Sequence, residues 1–436
     1  MNDAAGTADS TIFALSSGTP PCAIAVVRIS GPLAFDVVER LTGRAVPSAR
    51  RAALRHFHDP GAGALIDEGL VLRFDARASV TGEPLVELQV HGSRAVVRDL
   101  ETVLARFDGV RAAEPGEFTR RAFQNGRLDL DAVEGLGDLL TAETTLQREA
   151  ALAMMGGRLG QDIARWSHAL TRLAAQVEAR LDFSDEGDVA SDAGPGFDLA
   201  CAGIADEMGV ALARPPAHRL RDGVRVAIGG PPNAGKSTLF NAILGREAAI
   251  VSPHAGTTRD VIEASVAIDG MPFLFSDSAG LRDATDEIER IGIDRATKLI
   301  EEADILLWLG EDEVPARDHG HVIRLRAKAD LAAGEGRTED LAVSAVTGQG
   351  MDTLVATLTR LAGDLLPKAG DYALSARQRA ALARAESAVR EAGQHRDEIL
   401  IGECLRQALV ALDELTGRVT TEAVLDEIFS GFCIGK

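Results

Sequence analysis

Between Val224 and Leu244 the chain reads VRVAIGGPPNAGKSTLFNAIL, and no other stretch restricts the possible folds so sharply. The apolar run Val226-Ala227-Ile228 suits a buried parallel strand. Gly230-Pro231-Pro232-Asn233-Ala234-Gly235-Lys236-Ser237 then fits G-x-x-x-x-G-K-[ST], and Leu239, Phe240, Ile243 and Leu244 follow on one side of an amphipathic helix. A strand, a glycine-rich turn and a helix in this order make a phosphate-binding loop. The loop glycines let backbone N–H groups turn inward around phosphate oxygens, with Asn233, Ala234, Gly235 and Thr238 completing the cradle. Lys236 reaches the outer phosphates and the Ser237 hydroxyl ligates Mg2+. The stretch reads as a nucleoside triphosphate site.

Three further motifs sharpen the ligand. Asp277-Ser278-Ala279-Gly280 follows the strand-like run Pro272-Phe273-Leu274-Phe275. An Asp there can hold Mg2+ through water, and Gly280 can offer its N–H to a γ-phosphate. Between these motifs lies Gly256-Thr257-Thr258-Arg259-Asp260, where a loop can bring a Thr to the metal. Ala327-Lys328-Ala329-Asp330 follows a short strand at Val322–Leu325 and resembles the guanine-reading N-K-x-D box with its first residue replaced. Asp330 can accept two hydrogen bonds from a guanine edge, the Lys328 stem can lie along the base, and Ser344-Ala345 can supply an N–H for the guanine carbonyl. Losing the Asn removes a contact to the base and a buttress of the phosphate loop. These motifs in this order read as a GTPase. Leu281, directly after Gly280, cannot orient an attacking water as a Gln would. Glu289 is the candidate acid/base, although on composition alone it is one more surface carboxylate.

At 436 residues the chain exceeds one ordinary core, so two or three domains are expected. No apolar run reaches the eighteen or so residues of a membrane span, and MNDAAGTADSTIF lacks the pattern of a secretory signal. Cys22, Cys201, Cys404 and Cys433 are scattered with no C-x-x-C spacing, which favours a reducing cytoplasm and disfavours a zinc site. The net charge of −20 is awkward for a nucleic-acid binder, but its acidic excess lies in the middle and later parts. Arg50-Arg51 and Arg120-Arg121 in the nearly balanced first part can meet a polyanion locally, or simply be solvated surface. Charge does not decide the partner.

The multidomain α/β chain divides into four segments. Residues 1–126 mix strand-like runs (Ile24–Ile29, Gly69–Phe74, Leu85–Val90) with helical spacing at Leu33–Leu41 and Arg94–Phe107, an α+β domain. Residues 127–222 are helical in pattern, residues 223–368 hold the nucleotide motifs, and residues 369–436 turn helical again from Ser375 to about Leu415, with a last helix at Thr420–Phe429. Neither helical block can bury its apolar stripe alone. One all-α domain built from both, split by an inserted P-loop GTPase α/β domain, is the expectation.

With these residues in view, almost the whole chain resembles the bacterial tRNA-modification GTPase MnmE (TrmE) family. The resemblance rests on PNAGKS (Pro232–Ser237), IVSPHAGTTRD (Ile250–Asp260), DSAGLR (Asp277–Arg282), EIERIG (Glu287–Gly292) and the terminal FCIGK (Phe432–Lys436). Near the N-terminus, VVRISG (Val26–Gly31), LVELQVHG (Leu85–Gly92) and PGEFTRRAF (Pro115–Phe123) are similar to the family's folate-binding domain. The resemblance implies an N-terminal domain that forms a homodimer and binds a one-carbon tetrahydrofolate, 5-formyl or methylene, through Arg28, Glu87, Arg127 and Lys436. Arg127 stands where the family usually has Lys, so a flat fork replaces a point charge. Cys433 falls on the family's functional cysteine. A K+ ion held by Asn233, Ser252, the His254 carbonyl and Thr257 is implied, with Mg2+ on Ser237 and Thr258 and with Glu289 orienting the water. A flavoprotein partner, MnmG (GidA), is implied to carry FAD, and the pair to add an aminomethyl-type (carboxymethylaminomethyl) group at C5 of wobble uridine 34 in tRNA. A ribosome-assembly or signalling GTPase, a binding switch, would share the nucleotide motifs but has no need of FCIGK or of a folate site.

Overall fold

The structure is a computed structural model that describes residues 10–182, 194–246, 262–277, 297–310, 314, 320–331, 340–419 and 421–435. These residues fall into two compact units, one within Met1–Gly137 and Thr416–Lys436, the other within Asp138–Leu415.

The first unit is built on a six-stranded sheet of β1 (Thr11–Leu15), β2 (Cys22–Ser30), β3 (Ala53–His58), β4 (Leu65–Phe74), β5 (Leu85–Gly92) and β6 (Val110–Ala112). The order is β3-β4-β5-β2-β1-β6, antiparallel except where β1 pairs with β6. Strand periodicity sorts its residues by face. Ala25, Val27 and Ile29 of β2 and Val86, Leu88 and Val90 of β5 enter one core with Val37, Val38 and Leu41 of the helix Ala34–Thr42 and Leu100 and Leu104 of the helix Arg94–Leu104. Ser93 caps the latter helix by accepting from the Ala95 N–H at 3.3 Å. Arg28 and Glu87 lie on the other face. The helix Glu117–Gln124 covers part of it, burying Phe118 with Ile12, Ala14 and Ala113.

The chain's last segment belongs to this unit. The helix Glu422–Ser430 packs Phe429 against Val133 and Phe432, with Phe123 beside them. Ile434 then forms an antiparallel bridge with Pro115.

The second unit holds β7 (Val224–Gly229), β8 (Ile262–Ile268), β9 (Met271–Asp277), β10 (Ile305–Leu309), β11 (His321–Arg326) and β12 (Leu341–Ala342). Their order is β12-β11-β10-β7-β9-β8, parallel throughout except for the β8–β9 hairpin. Both faces are covered, as parallel sheets require. Ile305, Leu307 and Leu309 pack with Leu239, Phe240 and Ile243 of the helix Lys236–Arg246 and with Leu354 and Leu358 of the helix Met351–Leu365, whereas Leu306 and Trp308 pack with Ala227 and Ala303 on the other side.

The same unit contains a helical core to which segments before and after this sheet both contribute. Leu159, Ile163, Trp166 and Leu170 of Arg158–Asp182 and Cys201, Ala205 and Met208 of Gly194–Leu212 share it with Leu382, Ala385 and Val389 of Ala376–Ala392 and Leu405, Ala408 and Leu412 of Glu398–Thr416. The helical stretch expected from Ser375 to about Leu415 consists of two helices, Ala376–Ala392 and Glu398–Thr416. Gly393 ends the first, and the Asp397 carboxylate accepts from the Ile399 N–H at 2.9 Å to open the second. Among the described residues no helix is long and apolar enough to cross a membrane.

Candidate functional site

The phosphate loop leaves the sheet at the carboxyl end of its central strand β7, where open parallel sheets place their ligand sites. Gly230 makes the exit possible. Its φ is +138°, and a Cβ there would stand 2.1 Å from the Leu309 carbonyl oxygen. Asn233 takes a left-handed conformation (φ +61°) so that the chain can fold back toward the helix. Lys236, only 6% exposed, opens that helix and donates from Nζ to the carbonyls of Gly230 at 3.0 Å and Pro231 at 2.8 Å. The ammonium is thus held over the loop, beside the positive end of the helix. Ser237, Thr238 and the Asn233 side chain are exposed, and Ala234 is half-buried. A hydroxyl at the first turn of this helix suits a hard cation such as Mg2+, and an Asn carbonyl suits K+.

Beside the loop lies a cavity of about 200 Å³ lined by Gly235, Thr238, Leu239, Ala327, Lys328, Asp330, Leu331 and the 343–346 segment. β11 and β12 deliver its two polar walls. Leu325 and Arg326 pair in parallel with Leu341 and Ala342, so the turns that follow them lie side by side. The Ala329 N–H then donates to the Val343 carbonyl at 3.1 Å, and Ser344, 1% exposed, donates its hydroxyl to Asp330 Oδ1 at 2.6 Å. The carboxylate is aimed while Oδ2 stays free of any partner among the described residues. Lys328, at φ +57°, sends its Nζ to the Asn233 carbonyl at 2.9 Å. This bond fastens the pocket to the phosphate loop. Ala327 offers only a methyl group. The structure therefore brings together Gly235, Thr238, Lys328, Asp330, Ser344 and Ala345, residues up to about a hundred positions apart.

Other expected residues are not placed. Ser252, His254, Thr257, Thr258, Gly280, Glu289 and Lys436 lie outside the described residues, as does the side chain of Asp277, whose backbone ends β9.

In the first unit, Arg28 and Glu87 are register partners on β2 and β5, and Arg28 donates to Glu87 Oε1 from Nε at 3.2 Å and Nη2 at 2.8 Å. Its guanidinium lies 5.8 Å from the centre of the Phe118 ring. Arg127 is exposed and makes no ion pair among the described residues. Gly435 lies against Leu15, one residue beyond the Ala14 that opposes Arg28. Its φ is +93°, a Cβ on it would come within 2.2 Å of the Leu15 carbonyl oxygen, and its own carbonyl accepts from Ser16 Oγ at 2.9 Å. Cys433 is exposed between the buried Phe432 and the bridging Ile434.

Sequence reasoning missed an ionic network on this face. Arg121, 4% exposed, donates to Glu117 Oε1 at 2.9 Å and Glu83 Oε2 at 3.1 Å, and Arg111 reaches Glu117 at 2.6 and 2.8 Å. Burial pushes the Glu117 carboxyl up, but the Arg111 guanidinium, the Glu114 N–H and Arg121 together hold it below the usual carboxylate range. Arg120 is spoken for as well, by Glu422 at 2.7 Å and Asp426 at 2.8 Å. The pair Arg120-Arg121 is therefore neither a free surface for a polyanion nor plainly solvated. An i,i+4 Glu–Arg spacing at Glu117 and Arg121 was the signal available.

Residues 130–433 match the family model for the MnmE helical domain, and residues 11–127 match that for the N-terminus of the GTP-binding protein TrmE. The chain is 52% identical over 437 residues to a tRNA modification GTPase MnmE of Rhizorhabdus wittichii, covering 100% of this chain and 98% of that one. It is 52% identical over 428 residues to the protein of the same name from Erythrobacter litoralis, covering 98% and 100%. Among solved structures, the G domain of the T. maritima FeoB iron transporter is 25% identical over 32% of this chain and 98% of that chain, with a TM-score of 0.25, too low to bear on the fold.

Proposed function

This chain belongs to the MnmE family and is a GTP-hydrolysing tRNA modification enzyme; from that premise we propose that it works with the flavoprotein MnmG (GidA) to add an aminomethyl-type group at C5 of wobble uridine 34. The observation that supports the guanine reading is the Asp330 carboxylate, fixed by Ser344 in a pocket that Lys328 ties to the phosphate loop. Asp330 accepts from the guanine N1–H and amino group, and the Ala345 N–H donates to its carbonyl. Lys236, released from the Gly230 and Pro231 carbonyls, binds the outer phosphates, and the N–H groups of the loop hold the rest.

Ser237 and Thr258 would hold Mg2+, with Asp277 joining through water, and Asn233, Ser252, the His254 carbonyl and Thr257 would hold K+. These cations supply fixed positive charge against the charge developing on the phosphates. Glu289 orients the attacking water in place of the Gln that Leu281 cannot imitate. Arg28 and Glu87 of the N-terminal domain, with Arg127 and Lys436, are assigned to a one-carbon tetrahydrofolate, and Cys433 is assigned as a functional thiol. We also assign residues 127–222 and 369–436 to one helical domain around the GTPase insertion 223–368, homodimerisation to residues 1–126, FAD to the partner, and the whole to the cytoplasm.

The test is mass spectrometry of tRNA nucleosides from the source organism with and without this gene. C5-modified wobble uridines should vanish in its absence and return with the wild-type gene. An unchanged profile would discard the wobble-uridine assignment.

A further inference from the structure

The cavity beside the phosphate loop has an uneven distribution of polar atoms. Asp330, Ser344 and Ala345 gather where β11 and β12 end. The flank formed by Gly235, Leu239 and Ala327 is apolar. A Cβ on Gly235 would lie 4.0 Å from the Ala327 methyl and 3.9 Å from Lys328 Cε, so Ala327 and the Lys328 stem border the phosphate loop. The Lys328 ammonium turns one of its three N–H groups to the Asn233 carbonyl at 2.9 Å, which draws it toward the phosphate loop.

A guanine carries acceptors at O6 and N7 and a donor at its amino group. Asp330 and Ala345 account for O6 and the donor edge of the six-membered ring. N7, on the five-membered ring, needs a hydrogen-bond donor, and a methyl group has none. We propose that this site reads guanine by its six-membered ring alone, with Ala327 leaving N7 unread, so that 7-deazaguanine nucleotides bind as well as GTP. This rests on the guanine-nucleotide reading above. Ala327 is thus a specificity-determining position, and the substrate class widens to guanine nucleotides altered at position 7. Among the described residues of the pocket, the Thr238 hydroxyl and the remaining N–H groups of Lys328 are the competing donors on the loop side.

The experiment is calorimetric titration of the full chain with GTP, ATP and 7-deaza-GTP in Mg2+ and K+, for the wild type and for Ala327→Asn. GTP should bind more tightly than ATP, and wild-type dissociation constants for GTP and 7-deaza-GTP should agree within about twofold. Ala327→Asn should tighten GTP by about three- to tenfold, the worth of one neutral hydrogen bond, without the same gain for 7-deaza-GTP. Wild-type protein that prefers GTP to 7-deaza-GTP by more than about tenfold would overturn the inference and turn attention to Thr238 and Lys328. Equal gains for both nucleotides in Ala327→Asn would overturn it too. Equal binding of ATP and GTP is a different failure, since it removes the guanine reading itself. The wild-type ratio decides even if the variant does not fold.

Discussion

The sheet of the first unit is antiparallel apart from one pair of strands, and the sheet of the second is parallel apart from one hairpin. That difference decides where each can hold polar chemistry. The parallel sheet is buried on both faces, so its strands carry Val, Ile and Leu and its candidate residues stand at or past the carboxyl ends of strands, with Asp277 closing β9, Gly230–Thr238 after β7, Lys328 and Asp330 after β11, and Ser344 and Ala345 after β12. The antiparallel sheet gives one face to its core. Its other face carries Arg28 and Glu87 in mid-strand, beside a nearly buried ionic network. One sheet offers its candidate polar residues at its strand ends; the other carries Arg28 and Glu87 within its strands.

If that contrast holds, removing a charge should cost chemistry in one unit and stability in the other. The largest effect is expected for Glu289→Ala, which should lower GTP turnover by about a hundredfold to ten-thousandfold while GTP still binds. Single-turnover hydrolysis beside a titration checks it, and retained turnover would remove Glu289 from the mechanism. Arg121→Leu comes next. It takes away the cation that Glu117 and Glu83 share, leaving Glu117 to Arg111 and Glu83, among the described residues, with only the Ser30 hydroxyl, and should cost the first unit about 3–5 kcal/mol in urea unfolding. A loss below about 1 kcal/mol would mean the network is ornamental.

Gly435→Ala should cost about 1–3 kcal/mol, because a positive φ and the Leu15 carbonyl both oppose a side chain. Faster amide hydrogen exchange in the helix Glu422–Ser430 is the readout; unchanged protection would show that the helix is held without the packing of Gly435 on Leu15. The smallest effect concerns acid. Because the Glu117 carboxyl sits below its ordinary value of 4.5, its ion-pairing contribution is complete above about that pH and is lost as pH falls through the lowered value. Wild-type stability of the first unit should therefore drop more steeply with acid below about pH 4.5 than that of Glu117→Gln. Parallel slopes would show that Glu117 is not the linked group.

Much of the nucleotide site was legible from local pattern. The run Val226–Ile228, the glycines and the Leu239–Leu244 spacing each report on neighbours within a few residues, and strand, loop and helix follow. The roles of Lys328, Asp330 and Ser344 were readable as types, because a carboxylate and an N–H have fixed hydrogen-bonding capacities. Their mutual geometry was not. Ser344 clamps Asp330 only because β11 and β12 pair in register, and pairing between strands leaves no trace in the spacing of either one. Arg120-Arg121 looked like surface for the same reason: its partners Glu83, Glu422 and Asp426 come from distant segments.

By itself, then, the sequence determined the chemistry at hand: a phosphate loop, an acidic reader with Ala where an Asn donor would stand, and a glycine ahead of the final lysine. Those properties belong to single side chains and short backbone stretches. The tertiary structure alone decided which of them meet. It turned Arg121 from a surface charge into a buried one, and it laid Gly435 against Leu15 at the opposite end of the chain. Contact across hundreds of residues is set by which apolar faces find each other in folding, and each face is defined only together with its partner.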